Sequence, residues 1–341
     1  MARTANPLRR DFLKLLGAGA LRAATPVSGA GGKALRGIFP IAETPFTDSG
    51  RLDVDDLVKQ LRFIDRGGVH GFVWPQLASE WFSLAEKERL EGAEAILSAG
   101  KKLRPAIVIG VQGPDVATAV NYARHAAKLG ADALISLPPS GVTDEAAVLD
   151  YYRQVGGATD LPLFVQAVGK LSVEFILRMW KAVPNLRYVK DEAGEPLMRI
   201  GPLREKSSDE IKVFTGGHGR TLIDEMVRGT SGSMPAASFA DIYASAWDLW
   251  HARKRNEAMD VFSKALLFIT EIQVYGIESL KYILYRRGVF KTYRVRQSRQ
   301  QSAPSTSIMA AGGLEMKAHL DEKGKQVLDE MLAFVKPYLK A

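Results

Sequence analysis

Lys190 is the residue of this chain best suited to covalent chemistry. It follows the apolar run Leu186-Arg187-Tyr188-Val189 and precedes Asp191 and Glu192, and such a run reads as a buried strand. Desolvation at the end of a core strand disfavours the ammonium form of a lysine. An amine that sheds its proton can attack a ketone and form a Schiff base. A second reading stays open for the segment taken alone, in which the ammonium pairs with Asp191 or Glu192 or reaches solvent. Glu192 lies two residues beyond Lys190, hence on the same face if the strand continues. There it is either a proton relay or the structural partner of an arginine.

Other residues could share such a site. His218, in Gly216-Gly217-His218-Gly219, is a candidate general acid/base or hydroxyl ligand, the alternative being an exposed loop histidine. Gln166 and Gln112 can hydrogen-bond a carboxylate or a hydroxyl but cannot transfer protons at neutral pH. Glu43 and Glu80 can titrate. The absence of cysteine excludes disulfides, thiol nucleophiles and thiolate-bound metals. The five histidines lack ligand spacing, so no metal site is expected, and no cofactor is called for. The glycines around His218 could approach a phosphate through their amides, but the lysine and hydroxyl of a P-loop are missing.

These residues need a scaffold, and the pattern supplies one. Short apolar runs at Gly37–Ile41, His70–Trp74, Pro105–Val111, Ala131–Leu137, Leu161–Gln166, Arg187–Glu192, Lys212–Gly216 and Ser231–Pro235 read as strands covered on both faces. Between them, Val54–Ile64, Leu84–Ala99, Val116–Leu129, Glu145–Val155, Val173–Ala182, Leu197–Glu205 and Thr221–Arg228 have helical spacing. Eight such alternations predict a (β/α)8 TIM barrel over residues 36–238, or a doubly wound sheet. The first strand-to-helix loop has no GxGxxG, which disfavours a dinucleotide-binding sheet. Residues 239–341 read as a C-terminal helical appendage, with helices over Phe239–His251, Asn256–Val274, Ser279–Arg287 and Glu322–Leu339 and a polar connection over Gln297–Gly313.

A barrel of this kind carries its site at the C-terminal ends of its strands. Those ends offer Lys190, Gln166, Glu192 and His218 as candidate catalytic residues. Thr44, Leu77, Ala78, Glu80, Ser140, Lys170, Gly217 and Met234 are the candidate substrate-binding positions. Glu80 can also brace its loop, and Lys170 can be a solvated loop lysine.

The net charge of +8 does not point to nucleic acid, because +6 of it falls in residues 1–36 and the rest of the chain is near balance. That N-terminal stretch holds Arg9-Arg10-Asp11-Phe12-Leu13-Lys14 ahead of a short apolar run, with Ser28-Gly29-Ala30 as a cleavage-like site. The pattern is similar to a twin-arginine export signal over residues 1–30, which implies a periplasmic protein, or a cytoplasmic one if the signal is not functional. No later run reaches eighteen uninterrupted apolar residues, so no stable membrane association is expected.

Four landmarks in order resemble the dihydrodipicolinate synthase/N-acetylneuraminate lyase family of class I aldolases. They are Thr44-Pro45-Phe46 with Asp48 and Gly50; Ser79-Glu80 with Ser83-Leu84 and Glu86-Lys87-Glu88-Arg89; Val189-Lys190-Asp191; and Gly229-Thr230-Ser231-Gly232. The resemblance spans residues 36–290 and implies that Lys190 forms the Schiff base, in a homotetramer or dimer. The chain departs from the family at its proton-handling positions. The family's GTTGE loop reads Gln76-Leu77-Ala78-Ser79-Glu80, its fifth-strand tyrosine aligns with Gln166, and its partner tyrosine aligns with Ser140. The arginine for a second carboxylate has no counterpart around Ala167-Val168-Gly169-Lys170.

The resemblance therefore implies an aldolase or dehydratase acting on a small 2-keto acid, pyruvate or a 3-deoxy-2-keto sugar acid, whose hydroxyls Gln, Ser and His can hold. The alternatives are 4-hydroxy-tetrahydrodipicolinate synthase-like activity, or a non-catalytic periplasmic protein that binds keto acids or sugar acids on the same barrel.

Overall fold

The apolar runs become the staves of a closed barrel. The computed structural model describes residues 32–296 and 317–341. The twin-arginine segment and the Gln297–Gly313 connection lie outside them. The strands are β1 (Gly37–Ile38), β2 (Gly71–Trp74), β3 (Ala106–Gly110), β4 (Ala133–Ser136), β5 (Leu163–Ala167), β6 (Leu186–Asp191), β7 (Lys212–Thr215) and β8 (Gly232–Ser233). They pair in parallel in the order β1-β8-β7-β6-β5-β4-β3-β2. Ile41 closes the sheet by bridging to both Val73 and Ala236. The Ala42 N–H donates to the Val73 carbonyl at 2.9 Å, and the Val73 N–H to the Pro40 carbonyl at 3.0 Å. The result is the (β/α)8 barrel that the alternation predicts.

Helices α1 (Val54–Arg66), α2 (Glu86–Gly100), α3 (Val116–Leu129), α4 (Glu145–Gly156), α5 (Val173–Ala182), α6 (Pro196–Lys206) and α7 (Leu222–Val227) fill the connections. Several start where a side chain satisfies a free amide of the first turn. Asp53 accepts from Asp56, Asp115 from Thr118, Asp144 from Ala147 and Ser172 from Phe175. Both faces of the strands are thereby covered, and the sheet lies in the core.

Inside the barrel an aromatic floor blocks the lumen. Phe164 of β5 stacks on Tyr188 of β6 with centroids 4.3 Å apart, and both rings meet Phe214 of β7, which meets Phe39. A Cβ at Gly71 would overlap the Phe39 ring, and one at Gly232 the Phe214 ring. The glycines make room for the floor.

Beyond β8 the chain forms α8 (Ala240–His251), α9 (Arg255–Leu266), α10 (Ile269–Tyr275), α11 (Ile277–Arg286) and α12 (Glu322–Val335). The single helix expected over Asn256–Val274 is thus two. Its break at Leu267–Phe268 lets Phe268, fully buried, stack on Phe239 at 5.1 Å. No glycine or proline marks that point; the packing decides it.

Candidate active site

Lys190 stands directly above the floor. It follows Tyr188 by two residues and therefore shares its inward face. Gln166 is its register partner on β5, and Phe214 on β7. The Lys190 side chain is 4% exposed, and its Nζ lies 3.0 Å from Glu192 Oε2. The ladder runs one residue past β6, because the Glu192 N–H donates to the Ala167 carbonyl at 2.9 Å. That extension keeps Glu192 on the same face as Lys190. Asp191 points the other way, to Arg199 Nε at 2.7 Å. Burial raises the Asp191 carboxyl despite that arginine, and the pair anchors the start of α6.

Glu192 is held from three sides. Lys190 and the Gln166 Nε2 (2.6 Å) share its Oε2, while the Gly217 N–H reaches its Oε1 at 3.2 Å. Burial by itself would raise this carboxyl. The Lys190 charge and the hydrogen bonds from Lys190, Gln166 and Gly217 outweigh it and hold the group below the usual range. Gly216 makes the approach possible, since a Cβ there would overlap the carboxylate. An acceptor-only carboxylate also fixes the Gln166 amide with its NH₂ inward. Its carbonyl Oε1 is left buried without a donor among the described residues.

The turn Gly217–Gly219 follows β7, with His218 left-handed at φ 59° and buried. The Tyr243 hydroxyl of α8 donates to the His218 carbonyl at 2.5 Å, so the appendage fixes the backbone of this turn. Met234, 2% exposed, continues the ladder through its N–H to the Thr215 carbonyl.

The loop after β2 is tied to the loop after β1. The Ser79 hydroxyl donates to the Ala42 carbonyl and the Thr44 hydroxyl to the Ser79 carbonyl, both at 2.5 Å, and Trp74 Nε1 donates to Thr44. Thr44 is therefore a brace for this loop. Leu77 and Ala78 are buried in its short turn. Glu80 is left-handed at φ 52°, accepts from the Arg296 N–H at 2.8 Å and pairs with Lys281 of α11. Gln76 Nε2 donates to Gln112 Oε1 at 2.8 Å, and Gln112 Nε2 to the Pro75 carbonyl at 2.9 Å. This chain orients the Gln76 amide, whose Oε1 is likewise buried without a donor among the described residues.

The structure thus assembles Lys190, Glu192, Gln166 and Gly217 through direct contacts, with His218 next along the turn. Ser140 and Lys170 are exposed on the loops after β4 and β5. Lys281 was not foreseen, although a lysine between Ile277, Leu280 and Leu284 on one helical stripe is a readable sign of a buried cation. Among the described residues no group of three or more His, Cys, Asp or Glu side chains is placed to hold a metal ion.

Known proteins resemble this chain in sequence and in fold. The model of the Dihydrodipicolinate synthetase family matches residues 34–308. L-2-keto-3-deoxyarabonate dehydratase from Azospirillum brasilense is 27% identical over 281 residues, covering 80% of this chain and 91% of its own. In structure, dihydrodipicolinate synthase from Rhodopseudomonas palustris superimposes with a TM-score of 0.75 at 23% identity, covering 87% of this chain and 97% of its own. N-acetylneuraminate lyase from Mycoplasma synoviae gives 0.73 at 17%, with the same two coverages. By the extent of the family match, with a lysine amine set in the mouth of an eight-stranded barrel, this chain belongs to the dihydrodipicolinate synthetase family of class I aldolase-type lyases.

Proposed function

We propose that the chain is a dehydratase of a 3-deoxy-2-keto sugar acid, with Lys190 as the Schiff-base residue. The observation that carries this reading is the buried Lys190 amine on the inner face of β6, in contact with a carboxylate. Lys190 attacks the C2 ketone, loses water and holds the substrate as an iminium, the electron sink that loosens the C3 hydrogens. Among the described residues three buried glutamine oxygens lack a donor, and two of them, Gln76 Oε1 and Gln166 Oε1, belong to residues at strand ends, which suits a substrate that brings hydroxyl groups. The similarity to a keto-deoxy sugar acid dehydratase over 91% of that enzyme agrees. Lysine-pathway synthase activity fits less well, because Leu77, Ala78 and Gln166 lack the hydroxyls it would use.

Borohydride reduction with pyruvate and with a panel of 3-deoxy-2-keto sugar acids tests the reading. Substrate mass is expected on the peptide holding Lys190, together with a dehydrated product. An adduct with aldol fragments as products would convert the assignment to aldolase; a panel without any adduct would end it. We also propose export through the twin-arginine segment, checked by fractionating cells expressing the full chain and an Arg9→Lys/Arg10→Lys variant.

A further inference from the structure

We infer that Glu192 carries the proton of this reaction, taking it from C3 of the Lys190-bound substrate and delivering it to the departing C4 hydroxyl. The inference rests on the Schiff-base reading above. Its geometric basis is a carboxylate oxygen 3.0 Å from Lys190 Nζ. Once that nitrogen becomes an imine, C3 is two bonds away from it, within the carboxylate's range.

Several other titratable groups near the mouth are already engaged elsewhere. Asp191 faces Arg199 on the opposite side of β6. Glu80 is engaged by Lys281 and Arg296, and Glu43 accepts from Gln60 and Ser238. Tyr151 and Tyr152 of α4 bond to Ser136. Gln166, beside Lys190 on the inner face, cannot carry a proton. It acts as a positioning residue, its Nε2 2.6 Å from the same Glu192 oxygen. The Gly217 N–H fixes the other oxygen, and Gly216 leaves the space. This is a carboxylate aimed by its surroundings.

The steps balance without another reactant. Glu192 removes a C3 proton, and the C–H electron pair forms the C2=C3 bond while the iminium π pair returns to nitrogen. The enamine then re-forms the iminium and makes C3=C4 as the C4–O bond breaks, and the hydroxyl leaves as water with the proton held by Glu192. Hydrolysis of the iminium returns Lys190 and consumes one water, equal to that released when the imine formed. The net change is loss of one water from the substrate.

The test compares unaltered protein with Glu192→Gln and Glu192→Asp, measuring Lys190 adduct formation, turnover and exchange of the C3 hydrogens in deuterium oxide. Glu192→Gln should still be trapped by borohydride, which also reports a folded site. Its turnover and C3 exchange should fall about 10²–10⁴-fold, with partial recovery in Glu192→Asp. Normal exchange in a trapped Glu192→Gln protein would overturn the inference and leave the Schiff base standing. A Glu192→Gln protein that folds by circular dichroism but forms no adduct would also overturn it, since Glu192 would then serve the lysine and not C3. No adduct on the unaltered protein would remove the Schiff base itself, and this inference with it.

Discussion

The Glu80 carboxylate, on the loop after β2, meets the ammonium of Lys281 on α11, 201 residues further along the chain, and neither side chain is exposed. Lys281 also donates to the Arg294 carbonyl at 2.8 Å and lies over the Phe46 ring at 4.3 Å. Burial lowers its proton affinity, and Glu80 opposes that effect. The contact joins the barrel mouth to the appendage through a fully desolvated ion pair, so the appendage takes part in shaping the mouth.

Removing one partner of such a pair leaves a buried charge without compensation. Lys281→Met should therefore destabilise the protein by about 3–5 kcal/mol, read from urea unfolding. Adding Glu80→Gln should recover part of that loss, with a coupling of about 1 kcal/mol or more between the sites. Additive losses would mean that the pair does not act as a unit.

Glu43 should give the stability an unusual pH dependence. It is fully buried, accepts from Gln60 Nε2 at 2.9 Å and Ser238 Oγ at 3.2 Å, and burial pushes its carboxyl up to about 7 against the opposing Lys281 charge. A folded-state pKa above the unfolded one means that the native state holds the extra proton. Its contribution is present below the ordinary carboxylate pKa and is lost as pH rises through about 7. Between these limits the change is on the order of 2–3 kcal/mol. The stability difference between the unaltered protein and Glu43→Gln should drift by that amount from pH 4.5 to 8, in favour of the variant at high pH. A constant difference would contradict the protonated Glu43.

Gly216 is expected to be intolerant of a single methyl group. Gly216→Ala would overlap the Glu192 carboxylate and swing it from Lys190 and Gln166. Overpacking of this kind costs about 1–3 kcal/mol. Turnover should fall at least as far as in Glu192→Gln, while the adduct on Lys190 persists. Unchanged turnover in Gly216→Ala would show that the carboxylate has another place to stand.

The barrel was legible in the sequence because its strands are buried on both faces and appear as short apolar runs between helices of period 3.6. The shared face of Lys190 and Glu192 also followed from alternation along one strand. What escaped were contacts between distant segments. Nothing local says that Lys281 reaches Glu80, or that Phe268 must turn out of a helix to stack on Phe239. The same holds for Thr44, whose hydroxyl is engaged by Ser79 and Trp74, and for the orientation of Gln166, which depends on a carboxylate one strand away. Strand ends supply candidates; which of them converge is set by tertiary packing.

The aromatic floor has a stereochemical consequence. With Phe164 and Tyr188 below Lys190 and Phe214 beside it across the ladder, a bound substrate can lie on one side of the imine nitrogen. Glu192 then addresses one face of the planar enamine. Of the two diastereotopic hydrogens of the C3 methylene, one would be removed, and deuterium would enter at that single position. A wall of hydrocarbon would thus impose handedness on a reaction whose reactive groups are a flexible amine and a symmetric carboxylate.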